Sequence, residues 1–117
     1  MKTVEFLQYT LHQGAGDDFH KIMLNISVPL HAAAGVDVVT YGQSGHDPDS
    51  YILVRAFEDL EKREQELSAF YRSEAWRKGP REDIIERIAV SVMSVVSMTS
   101  AAVDALRQTV YLPKPGV

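Results

Sequence analysis

Four histidines, one strand-bound arginine and a set of large aromatic side chains are the residues of this chain with chemistry to offer: His12, His20, His31 and His46; Arg55; Tyr9, Tyr41, Tyr51, Phe57, Tyr71 and Trp76. An imidazole titrates close to neutral pH and serves as acid, base or metal ligand, so its neighbours decide its use. His20 and His31 stand eleven positions apart, on the order of 16 Å along a helix, too far to chelate one ion together. Asp47, Asp49 and Ser50 lack the glycine and the further ligand spacing of a calcium loop and read as a turn around Pro48. No metal site is expected. His20, beside an apolar stripe and near Asp17, is the single candidate for a catalytic role; the bland reading of every histidine is a solvated or hydrogen-bonded ring.

Arg55 sits in an apolar segment on the parity of Tyr51, Leu53 and Phe57, where a guanidinium is costly to bury unless a carboxylate or an anionic ligand meets it. Glu5, in an earlier strand, is the available partner. Tyr9, His20, Arg55, Tyr71 and Trp76 form the candidate ligand-binding set, since apolar walls with a few polar tips suit a small organic molecule. The competing reading makes the aromatics plain core residues, with Trp76 pinning the end of a helix. Gly14 and Gly16 follow a strand and precede a helix, yet no third glycine completes a dinucleotide fingerprint, and no G-x-S-x-G elbow is present. No cofactor is expected.

These residues must be positioned by a single domain, because 117 residues with 45% hydrophobic content suit one modest core. The chain has no cysteine, which removes disulfides, thiolate metal sites and Cys nucleophiles together. A net charge of −4 with scattered Lys and Arg gives no footprint for nucleic acid or an anionic membrane. With no signal-like or membrane-length apolar run, a cytoplasmic protein is expected.

Residues 4–11 place bulky or β-favouring side chains on both parities, and residues 89–99 repeat the feature with Val90, Val92 and Val96 against Met93 and Val95. Both read as strands covered on two sides. Between them, Phe19, Ile22, Met23, Ile26 and Leu30 follow helical spacing, with Asp17 or Asp18 as cap, Gly35 as stop and Pro29 as an interruption. Residues 36–41 and 51–57 read as a hairpin. Asp59 caps a second helix carrying Leu60, Leu67, Phe70 and Tyr71, with Glu61, Lys62, Arg63, Glu64 and Glu66 on its solvated side; Ser73 caps a short turn bearing Trp76. Helical turns over 82–87 and 101–108 and a tail complete the chain, giving a domain over 1–108 and a tail over 109–117. The order is βαββαβ, an α+β ferredoxin-like pattern with a four-stranded antiparallel sheet. Two helices coat one sheet face only, so a homodimer packing sheet against sheet is expected to cover the other.

Glu5-Phe6-Leu7-Gln8-Tyr9-Thr10-Leu11 with Gly14, Val28-Pro29-Leu30-His31 before Gly35, Phe57-Glu58-Asp59-Leu60 with Arg63, and Ser73-Glu74-Ala75-Trp76 occur in an order that resembles the NIPSNAP family over about residues 3–100. The resemblance implies a dimeric α/β barrel built from ferredoxin-like subunits. The chain departs from the family pattern at Leu7, where an arginine is usual, and near Arg55 and Ala56, where an aromatic is usual. It implies no agreed reaction, and the neighbouring families range from cofactor-independent monooxygenases to isomerases. Two functions are therefore carried forward. One is a homodimer that binds a small apolar or aromatic metabolite, or a protein partner; the other is a monooxygenase-like enzyme for an aromatic or polyketide-like substrate.

Overall fold

A computed structural model describes residues 1–109 of the chain; of the tail expected over 109–117, Thr109 ends the last helix and the rest lies outside the described residues. The elements are β1 (Lys2–Leu11), α1 (Gly16–Ile22), a π-helical segment (Met23–Ser27), α2 (Val28–Ala33), β2 (Asp37–Gln43), β3 (Ser50–Phe57), α3 (Leu60–Arg72), α4 (Glu74–Arg77), α5 (Arg81–Ile85), β4 (Ile88–Met98) and α6 (Ser100–Thr109). The four strands form one sheet in the order β2-β3-β1-β4, and every neighbouring pair is antiparallel. This is the α+β ferredoxin-like arrangement that the strand and helix spacing predicts.

Strand parity sorts the two faces. Leu7, Leu11, Tyr51, Leu53 and Phe57 are buried beneath α1 to α5 with Phe19, Met23, Leu67, Phe70, Trp76 and Ile84. On the reverse face, Val4, Val54, Ala56 and Val39 pack with Val103 of α6, joined by Phe6, Met98 and Leu106. The last helix therefore covers part of the face expected to be bare. What remains open is the β4 half, where Val90, Val92 and Val96 are exposed, with Ile52 of β3 exposed across Gln8 of β1.

Helix one differs from its predicted face in an instructive way. Phe19 and Met23 are buried as expected, but Ile26 is 47% exposed, and Ser27 and His31 take the inner positions. The cause is the π turn: the Val28 N–H donates to the Met23 carbonyl, five residues back. Pro29 offers no N–H and its ring crowds the carbonyl four residues earlier, so widening the preceding turn accommodates it without breaking the helix. The extra residue rotates everything downstream. Ala15, without a side-chain bond, stands at the start of α1, and Asp17 and Asp18 occupy its first turn rather than capping it. Gly35, at φ +78°, ends α2 in the left-handed region that glycine adopts without penalty.

The second predicted helix begins as read, with the Lys62 N–H donating to Asp59 Oδ1 at 2.8 Å. Leu60 is exposed and Tyr71 half-exposed, while Arg63, assigned to the solvated side, turns inward. Arg63 precedes Leu67 by four residues and so shares its inner stripe.

Candidate functional site

The β1–β3 register sets Glu5 directly opposite Arg55 on the helix-covered face. Both side chains are almost fully buried. Arg55 Nε donates to Glu5 Oε1 at 2.8 Å and Nη2 to the same oxygen at 2.5 Å. The second carboxylate oxygen accepts from Arg63 Nε at 2.9 Å and from Arg63 Nη2 at 2.7 Å. Arg55 Nη1 faces two further acceptors, Tyr71 Oη at 2.7 Å and His31 Nε2 at 3.1 Å. Taking a carboxylate and a guanidinium out of water costs several kcal/mol per ion, about 3 or more, and only satisfied geometry repays it. That condition is met: among the described residues no buried side-chain nitrogen or oxygen lacks a partner.

His31 reaches this cluster because of the π turn. Its Nδ1 lies 2.7 Å from the Ser27 carbonyl, which only an N–H can satisfy, so Nε2 is the bare nitrogen that accepts from Arg55. The ring packs on Phe70 with centroids 4.2 Å apart. Burial, reinforced by the Arg55 charge and opposed by the Ser27 bond, pushes the His31 pKa down to about 4. Burial also works against the Arg55 charge, but Tyr71 and Glu5 outweigh it and its pKa rises.

Beside this cluster a cleft of about 350 Å³ opens between the start of β4 and helices α3 to α5, lined by Tyr9, Tyr71, Trp76, Arg81, Ile84, Ile85 and Ile88. Its size lies at the low end of the range for small-molecule sites, about 300–1,000 Å³. Ser73 builds one wall: its Oγ accepts from the Trp76 N–H at 3.2 Å and starts α4, which holds the indole in place. Trp76 packs edge-on to Tyr71 at 5.2 Å and against Phe70 at 5.4 Å. Tyr9 packs edge-on to Phe19 at 5.7 Å, and its hydroxyl forms no hydrogen bond among the described residues. Burial first, then the neighbouring Tyr71, holds the Tyr9 phenol well above the ordinary range.

Three of the residues singled out from sequence, Tyr9, Tyr71 and Trp76, thus meet in one cleft, and Arg55 lies behind it, bonded to the Tyr71 hydroxyl. His20 is not among the lining residues. Its Nδ1 lies 2.6 Å from Tyr51 Oη, and its ring packs 6.2 Å from that of Tyr41. His31 and Arg63 are the residues that sequence reasoning left out of the site; Pro29 two positions before His31 was the signal for the first. The Asp47–Asp49 segment fastens loops: Asp49 Oδ2 and Oδ1 accept from the N–H groups of Gly14 and Gly16 at 2.9 Å each. Among the described residues, no group of three acidic or imidazole side chains comes together to hold a metal ion. Two other clefts lie elsewhere on the surface, one along Lys62, Gln65, Glu66 and Phe70 and one along Gln8, Ser44, His46 and Ile52.

A protein described as an uncharacterized NIPSNAP-like domain protein from Burkholderia xenovorans superposes with a TM-score of 0.76, covering 85% of this chain and 86% of its own at 16% identity. The chain has the NIPSNAP fold. A NIPSNAP family protein of unknown function from Agrobacterium tumefaciens gives a TM-score of 0.73 over 81% of this chain and 86% of its own, at 19% identity. A putative antibiotic biosynthesis monooxygenase from Nitrosomonas europaea shares the ferredoxin-like arrangement at a TM-score of 0.63, 12% identity and coverage of 82% and 97%. No family model and no curated protein matches the chain. The NIPSNAP likeness is thus one of fold, carried by three-dimensional shape at low identity, as the short ordered motifs suggest. Among the described residues no helix is long and apolar enough to cross a membrane.

Proposed function

We propose that this protein is a homodimer that binds a small aromatic or apolar metabolite in the cleft bounded by Tyr9, Tyr71 and Trp76. The observation that carries the reading is the composition of that cleft: three aromatic rings and three isoleucines around a volume of about 350 Å³, with a buried, fully bonded polar cluster behind one wall. An apolar molecule gains by leaving water there, and the phenols supply the polar tips that orient it. The exposed β4 valines support the dimer. A second copy is the economical cover for an apolar strip, since identical chains associate most often through self-complementary two-fold contacts. The reading includes a cytoplasmic setting, which a cysteine-free chain suits.

The alternative, oxidation of an aromatic or polyketide-like substrate in the same cleft, draws support from the fold neighbours described as putative antibiotic biosynthesis monooxygenases. Binding comes first in either case. Because Trp76 is the sole tryptophan of the chain, its fluorescence reports on the cleft wall without interference. Titration with benzoate, phenylacetate, 3-phenylpropionate and their primary amides is expected to change that fluorescence saturably with at least one ligand. Unchanged emission with all six at millimolar concentration overturns the reading, and oxygen uptake with a bound ligand decides between binder and enzyme.

A further inference from the structure

We infer that the molecule taken by this cleft is an aromatic oxyanion, a carboxylate or enolate on a ring-bearing apolar body, whose charged oxygen sits against the Tyr71 and Tyr9 hydroxyls in front of Arg55. The inference rests on the binding role proposed above and adds the charge and orientation of the ligand. Three observations carry it.

The first is the direction of a proton. Arg55 Nη1 has two hydrogens, and its two neighbours, Tyr71 Oη at 2.7 Å and His31 Nε2 at 3.1 Å, take both. Tyr71 is therefore the acceptor in its bond with Arg55, and its own phenolic hydrogen is left to donate elsewhere. No protein group takes that hydrogen among the described residues, and the Tyr71 ring lines the cleft. Tyr9, on the same wall, has a hydroxyl without a protein partner among the described residues. Two phenol hydrogens are thus available where an acceptor oxygen would lie.

The second is the count of charges. Glu5 faces two guanidiniums, Arg55 and Arg63, and His31 is neutral because its Nδ1–H donates to a carbonyl while Nε2 accepts. Glu64 meets Arg63 at 2.8 Å, but its side chain is 76% exposed and its bond is made at the surface end of Arg63. Counted with Glu64 the cluster is neutral, but Glu64 stands in water, so the inner side of the cluster, at Arg55, keeps positive character. The third is the wall itself. Among the described residues that line the cleft none is acidic, and the single charged one is Arg81, at the rim beside Glu82. A neutral hydrocarbon gains from the apolar walls alone, whereas a monoanion with an apolar body is matched at both ends.

The test compares each acid named above with its primary amide, equal in size and lacking the charge, by isothermal titration calorimetry on the full chain at one pH near neutrality. The acid is expected to bind at least about tenfold more tightly than its amide, the range for a charge-assisted hydrogen bond. Tyr71→Phe, checked for folding by circular dichroism, is expected to narrow the ratio of acid to amide affinity, because the acid loses a charge-assisted hydrogen bond and the amide only a neutral one. Tyr9→Phe removes a hydroxyl with no protein partner, is expected to fold as the parent does, and is expected to weaken the acid several-fold, about threefold or more. Equal affinity for acid and amide in the unaltered protein overturns the oxyanion assignment and leaves the binding role standing. Absence of binding by every member of every pair overturns both.

Discussion

Arg55 is the side chain on which the interior is organised, and its burial is tolerated because Glu5, Tyr71 and His31 take four of its N–H bonds. Replacement by Met keeps the volume and strands Glu5 with Arg63 alone, so Arg55→Met is expected to lower unfolding stability by about 3 kcal/mol, read from urea denaturation. His31 gives a sign for the pH dependence. Its folded pKa of about 4 lies below that of a free imidazole, so the unfolded chain binds the proton more readily. The His31 contribution is fully present above about pH 6.5 and is lost as pH falls through about 4, by about 3 kcal/mol in all. Urea midpoints taken from pH 7.5 down to 4.5 are expected to fall for the parent and to flatten in His31→Gln. The Glu5–Arg55 pair was legible in the sequence because period-two parity placed a charged residue on an apolar face and one partner stood in a neighbouring strand. His31 was not, since ordinary helical spacing assigns the inner face to Ile26 and Leu30.

At the scale of elements, strands read more faithfully than helices. The alternation over β1 and β3 sets both faces correctly, because a residue cannot slip by one without reversing every side chain of its strand. Helix one carries a local rule that spacing cannot express: a proline two-thirds of the way along widens the turn before it, and the face rotates. Tyr71 and Trp76 meet for a reason that is legible, since Ser73 ends α3 and caps α4 within three residues. The loops are tied more firmly than their turn residues suggest. Asp49 holds the Gly14 and Gly16 N–H groups, and a side chain at Gly16 would collide with the Pro48 carbonyl. Asp49→Ala is therefore expected to cost about 1–2 kcal/mol, most of it from the buried Gly16 N–H, measured by thermal and urea unfolding.

At the scale of the molecule, the question raised by doubly apolar strands has a divided answer. Helix α6 covers Val4, Val39, Val54 and Ala56, while the β4 strip of Val90, Val92 and Val96 stays open. The two populations were indistinguishable in the sequence because α6 follows the last strand and its path across the sheet is a tertiary fact. Fully covering one such valine is worth about 1.5 kcal/mol or more, so a few of them sustain a strip-to-strip contact. Val92→Glu, on the open face, is expected to yield monomers in light scattering. Ser91→Glu, on the opposite parity of the same strand, is expected to leave the assembly unchanged. Native mass spectrometry of the unaltered protein with 3-phenylpropionate reads assembly and occupancy together and tests the account most directly. The expected result is a mass of two chains carrying one or two ligand molecules; a single chain without adduct would contradict it.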